Sequence, residues 1–179
     1  MNNETLTFCL TFESGVAAVL SAYARRLSFG LSTDYVLAPD ALPHVTILKL
    51  SAPSVQSAQA WAQLEPRLPK RVNVQFSGLS LLPGKNGDVW VVLNVRRTAE
   101  LDLLQEMSAK LLGEFKPRSA VGDLWVPHVT LLHSLDGRLP TEWGLDSKLI
   151  TSEDVVSLPS LGVNRPPGRL ESVLLTTGL

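Results

Sequence analysis

An α+β fold built from two similar halves is predicted by three observations. Strand-like and helix-like segments alternate along all 179 residues. The order strand, helix, histidine-bearing strand, helix, strand occurs twice. The tetrapeptide Pro-His-Val-Thr stands in both copies, at 43–46 and again at 127–130. The length suits one domain of two lobes, at roughly 100–200 residues per domain. A hydrophobic content of 45% against 18% charged residues excludes a disordered chain or a coiled coil.

In the first half, Glu4 to Phe12 is β-rich and alternating, which predicts a strand. Ser14 is a fitting N-cap for a helix from Gly15 to Phe29, with Val16, Val19, Leu20, Tyr23 and Leu27 spaced for one buried face. A loop containing Tyr35, Pro39 and Asp40 leads into a strand from Pro43 to Leu50. Pro53 suits the first turn of a helix reaching Leu68. Val72 to Leu82 reads as a further strand, closed by the turn Pro83-Gly84-Lys85-Asn86-Gly87.

The second half repeats this order. Asp88 to Val95 is a strand, and Thr98 caps a helix running to Phe115. A loop with Gly122 and Asp123 precedes the strand Pro127 to His133. Thr141 to Leu149 is a weak helix. Val155 to Val163 and Leu170 to Thr177 read as strands around the turn Asn164-Arg165-Pro166-Pro167-Gly168. Thr98 follows Ser14 by 84 residues, and His128 follows His44 by the same 84. An internal duplication, with approximate repeats 4–83 and 88–177, accounts for this constancy. Two copies are too few for a solenoid. They predict two lobes facing each other across a pseudo-twofold axis, with the repeats too small and too open-edged to stand as separate domains.

Composition narrows the function. Lys+Arg of 16 against Asp+Glu of 17 leaves a net charge of −1, without the basic excess that grips long nucleic acid. A short substrate, held at one phosphate, fits better. The single cysteine, Cys9, lies in an apolar run and reads as a buried free thiol. The start Met1-Asn2-Asn3-Glu4 lacks the positive n-region of a secretory signal, and no apolar run approaches the ~18 residues of a membrane span. A soluble, cytoplasmic, monomeric protein is expected.

Two of the three histidines occur in the repeated tetrapeptide. Alternation along a strand sets His44, Thr46 and Leu48 on one face and Val45, Ile47 and Lys49 on the other, with His and Thr about 6.6 Å apart. The same rule puts His128 and Thr130 on one face and His133 on the other. A twofold axis then gathers two imidazoles and two hydroxyls around one cleft. That set fits phosphodiester cleavage. One imidazole takes a proton from water, the other gives one to the leaving oxygen, and the hydroxyls bind non-bridging oxygens. No metal is expected, because a catalytic zinc site takes three protein ligands and the motifs bring two histidines without a paired carboxylate. Asp40 and Asp123 read as loop residues. No Gly-x-Ser-x-Gly element and no Gly-rich phosphate loop is present.

Paired His-x-Thr-aliphatic motifs, one in each half of so short a chain, resemble the two-histidine (2H) phosphoesterase superfamily. Within it the chain is most similar to the bacterial RNA 2′,3′-cyclic phosphodiesterases, historically called 2′-5′ RNA ligases. The resemblance implies a bilobal fold of two ferredoxin-like halves, with two antiparallel sheets facing a central cleft and helices outside. It implies hydrolysis without cofactor of a 2′,3′-cyclic phosphate on a nucleotide or short RNA end. By position it makes His44 the proton donor, His128 the proton acceptor, and Thr46 and Thr130 the phosphate-binding pair. Two departures stand out. His133 replaces the Arg that often follows the second motif, and Lys49 replaces the aromatic residue that often follows the first.

Tyr35, Arg165 and Arg169 are further candidates for substrate contact, with Arg25 and Arg26 behind them. Trp90 and Trp125 can stack on a base, although Trp in apolar strands is usually core. Cleavage of 2′-5′ or cyclic oligonucleotides, or of an ADP-ribose cyclic phosphate, is an alternative with the same chemistry. A non-catalytic nucleotide- or RNA-binding module is the alternative from another class. Pure binding needs no proton-transfer pair, so both histidines and both threonines argue against it.

Overall fold

A computed structural model describes residues 5–38, 41–141, 154–165 and 169–177. These form strands β1 (Thr5–Phe12), β2 (Thr33–Val36), β3 (His44–Leu50), β4 (Val72–Val74), β5 (Phe76–Pro83), β6 (Val89–Val95), β7 (His128–Ser134), β8 (Val155–Arg165) and β9 (Arg169–Thr176). The helices are α1 (Ser14–Leu27), α2 (Ser57–Leu64) and α3 (Ala99–Leu111). The expected weak helix Thr141 to Leu149 falls almost wholly outside the described residues.

All strand pairs are antiparallel. The strand order is β4-β8-β1-β3-β7-β6-β5, with β9 on β8 and β2 on β7. The nine strands form one continuous sheet, divided into two subsheets where β3 and β7 join through a single residue pair, Val45 with Val129. Each subsheet takes strands from both repeats. β8 and β9 of the second repeat extend the subsheet of β1 and β3, while β2 and β5 of the first repeat extend the subsheet of β6 and β7. The helices cross over in the same way. α1 packs on β7 and β2, and α3 packs on β3. The exchange covers the edges that each repeat would otherwise expose.

Local chemistry sets the element ends. Thr98 caps α3, its hydroxyl accepting the Leu101 N–H at 3.3 Å. At α1 the expected cap shifts by one residue. Ser14 is the first helical residue, and Glu13 is the N-cap without a side-chain bond. α1 stops at Leu27, and Phe29 beyond it is 85% exposed. The expected helix from Pro53 to Leu68 breaks into short 3-10 turns around α2, the second containing Pro66. The expected strand from Val72 to Leu82 divides at Gln75 into β4 and β5, which join different subsheets. One strand, β2, lies where the sequence reads as loop. Leu6, Phe8, Leu10, Val45, Ile47, Leu93, Val129 and Leu131 are fully buried between sheets and helices.

Candidate active site

The pair Val45–Val129 is the hinge of the site. Both valines are fully buried. Antiparallel register about that pair sets His44 opposite Thr130 and Thr46 opposite His128. These four side chains point to the face opposite the valines. The two motif strands thus bring both imidazoles and both hydroxyls to one cleft. All four line one cleft of about 570 Å³, within the roughly 300–1,000 Å³ usual for ligand pockets.

Both rings are oriented alike. His44 Nδ1–H donates to the Leu42 carbonyl at 2.8 Å, and His128 Nδ1–H donates to the Val126 carbonyl at 2.7 Å. Each acceptor belongs to the residue just before a proline, which holds the backbone extended there. Fixing the proton on Nδ1 leaves Nε2 as the bare nitrogen of the neutral ring. Burial holds the His44 imidazole down to about 4, aided by the charges of Lys49 and His128 and opposed by the Leu42 bond. Burial also lowers His128, with Lys49 adding to it and the Val126 bond opposing. The hydroxyls of Thr46 and Thr130 are half-buried, and neither has a hydrogen-bond partner among the described residues.

The strands depart from simple alternation at one place each. Cys9 pairs with Thr46 and Phe8 with Leu48, so Ile47 is an extra residue in β3. Val92 pairs with Thr130 and Val91 with Leu132, so Leu131 is the extra residue in β7. Such bulges reverse the facing of everything beyond them. Lys49 therefore lines the cleft, and the expectation that it points away is corrected. His133 also departs from simple alternation, since it pairs with the cleft-lining Trp90, but it does not itself line the cleft. The His133 ring stacks on Trp90 with centroids 3.9 Å apart and planes 11° apart. Its Nδ1 meets Asp34 and its Nε2 meets Asp88, both at 2.6 Å. Burial alone would push the His133 imidazole down. The bonds to Asp88 and Asp34 outweigh it and raise the group.

The remaining candidates separate. Tyr35 is 2% exposed on β2, a strand rather than a loop, so substrate contact is excluded for it. Arg165 pairs with Glu171 at 2.8 Å, and neither Arg165 nor Arg169 lines the cleft. Arg25 and Arg26 end α1, where Arg26 lies over the Tyr23 ring. Trp125 is buried, its indole N–H donating to the Thr46 carbonyl at 3.1 Å, and it walls the cleft as well. Trp90 is half-buried and faces the cleft rather than the core. Asp123 is exposed and lies 3.9 Å from Arg97, while Asp40 is outside the described residues. Cys9 is buried, its thiol 3.6 Å from the Ser160 carbonyl, and burial pushes it up.

Two basic residues escape a reading by strand alternation, Lys49 and Arg118. Arg118 stands on the loop after α3, whose backbone reaches back to β3 through Arg118 N–H to the Lys49 carbonyl at 2.8 Å. Among the described residues no Asp or Glu lines the cleft, and the wall they form is basic and neutral, which suits an anion. Those residues offer a metal two imidazoles, short of the three of a catalytic zinc site. Among the described residues no helix is long and apolar enough to cross a membrane.

Comparison with known proteins bears on the same architecture. No curated protein matches the sequence. Among solved structures, the fold is shared with Thermus thermophilus TT0787 at a TM-score of 0.67 and 14% identity, covering 97% of this chain and 96% of that one. Escherichia coli LigT complexed with phosphate gives a TM-score of 0.60 at 15% identity over 98% and 97%. Kluyveromyces marxianus Usb1 with uridine monophosphate gives 0.55 at 15% identity over 99% of each chain. The family model of the 2′-5′ RNA ligase superfamily matches residues 17–142, a span that contains both motifs. With the paired motifs, the bilobal fold and that match together, the chain belongs to the 2′-5′ RNA ligase superfamily of two-histidine phosphoesterases.

Proposed function

We propose that this chain is a phosphodiesterase that opens a 2′,3′-cyclic phosphate on a nucleotide or RNA end, leaving a 2′-phosphomonoester. The observation that carries the reading is the pairing of the two motifs at Val45 and Val129. It brings two tethered imidazoles and two unpartnered hydroxyls to one cleft. Membership of a superfamily of phosphoesterases and ligases supports an enzymatic reading. The phosphate bound to LigT and the uridine monophosphate bound to Usb1 support a ligand of nucleotide size.

The step balances without a cofactor. Water attacks phosphorus while the Nε2 of one neutral histidine takes its proton. The P–O3′ bond breaks, and the other histidine, protonated at Nε2, gives its proton to the departing oxygen. Thr46 and Thr130 donate to the non-bridging oxygens. The resemblance makes His44 the donor and His128 the acceptor. Both imidazoles are held below their ordinary value by burial, so both are neutral near pH 7. The negative charge of a bound phosphate favours the protonated form and supplies the acid.

The pair of histidines is the test. His44→Ala or His128→Ala alone should cost about 10²–10⁴ in rate, and the double variant should fall little further. A substrate with a better leaving group should rescue His44→Ala more than His128→Ala, and the opposite rescue would exchange the roles. Because the free enzyme's imidazoles are both lowered, kcat/KM should be bell-shaped and centred below pH ~6.5. Wild-type rates in either single variant would end the two-histidine mechanism, and no turnover in the wild-type protein would favour a binding module.

A further inference from the structure

Lys49 and His133 occupy equivalent places in the two repeats. Each lies two residues beyond a buried bulge residue, Ile47 in β3 and Leu131 in β7. Lys49 lines the cleft and His133 does not, and their surroundings differ. His133 has a carboxylate on each ring nitrogen and Trp90 stacked on its face, so its charge is already matched. Across the ladder from Lys49 stands Thr7, whose buried hydroxyl has no partner among the described residues. The Lys49 backbone is fixed on both sides, its N–H by Ser119 Oγ at 3.0 Å and its carbonyl by Arg118 N–H at 2.8 Å. Its side chain is half-buried in a wall that has no Asp or Glu among the described residues. Removing an ammonium from water without a counter-charge is costly. Burial accordingly lowers its pKa. Such a group gains when an anion enters beside it.

We propose that Lys49 is a phosphate-binding residue, its ammonium taking the non-bridging oxygens of the phosphodiester held between His44 and His128. The substrate named here rests on the phosphodiesterase reading above, whereas the binding of phosphate does not. The twofold arrangement is thus unequal: Lys49 lines the cleft, whereas its counterpart His133, matched by Asp34 and Asp88, does not.

Inorganic phosphate is the probe. Lys49→Met should weaken its binding, measured calorimetrically, by at least about tenfold, which is about one hydrogen bond to a charged group. The same variant should lower kcat/KM on a nucleoside 2′,3′-cyclic phosphate by about 10²-fold, as for loss of an oxyanion donor. Lys49→Arg should restore most of both. Among the described residues the charged or titratable groups on the cleft wall are His44, His128, Lys49 and Arg118. Loss of the Lys49 charge should move the titrations of both imidazoles, followed by NMR, to higher pH, which a purely structural residue would not do. Wild-type phosphate affinity together with unmoved titrations in Lys49→Met would overturn the proposal. Should that variant not fold, the Lys49 Cε resonance of the wild-type protein decides, since failure to move on phosphate addition overturns the proposal equally. A wild-type protein that binds phosphate through Lys49 but opens no cyclic phosphate would support this inference and overturn the hydrolytic reading alone.

Discussion

Thr46 and Thr130 separate a folding role from a chemical one. A β-branched side chain in a strand is satisfied by Val as well as by Thr. Val45 and Val129 illustrate this on the opposite face, where they are fully buried. The hydroxyls therefore add nothing to the strands that a methyl would not, and they have no protein partner among the described residues. Thr46→Val or Thr130→Val should leave the melting temperature near the wild-type value. Each should remove one hydrogen bond to a charged phosphate, about 1.5–3 kcal/mol, or roughly a ten- to hundredfold loss of kcat/KM. Full turnover in both variants would show that the hydroxyls only shape the strands. The four motif residues were legible in the sequence because their spacing is local. Tyr35 was not, because its burial depends on β2 pairing with β7 about a hundred residues away.

Among the elements, the bulges and the clamp on His133 govern what the motif strands present. Asp34 on β2 and Asp88 just before β6 both reach His133 on β7, so one imidazolium ties three segments together. Its folded pKa is raised, with burial opposing and the two carboxylates outweighing it. The native state thus binds that proton more tightly than the unfolded chain. The stabilisation is fully present below the unfolded value of about 6.5 and is lost as pH rises through the higher folded value. Thermal melts of wild type and His133→Gln should differ most below about pH 6 and converge at alkaline pH. A difference independent of pH would leave only the stacking on Trp90 as the role of the ring.

At the scale of the molecule, the two repeats are interleaved. β1 pairs with both β3 and β8, and β6 pairs with both β7 and β5. Each central strand thus has one neighbour from its own repeat and one from the other. A fragment ending in the turn 83–88 would leave β1 without β8 and β5 without β6. Residues 1–85 alone should therefore be unfolded by circular dichroism, and mixing with residues 86–179 should restore β-structure. An independently folded, cooperatively melting 1–85 fragment would contradict the interleaved arrangement.

The sequence by itself determined the α+β class and pointed to the duplication and to the four motif residues as the candidate site. These rest on local periodicity and on an identical tetrapeptide repeated at a constant offset. Tertiary structure decided which repeat supplies each strand, which loop residue enters a sheet, and which way Lys49 and His133 point. The physical reason is the period of two along a strand. One extra residue reverses every side chain beyond it, and whether the extra residue is accommodated depends on packing with a distant strand. Ile47 and Leu131 carry no local sign of being bulged. Their apolar side chains and those of Leu48 and Leu132 after them are all fully buried, and that shared burial is what turns the next residue to the opposite face.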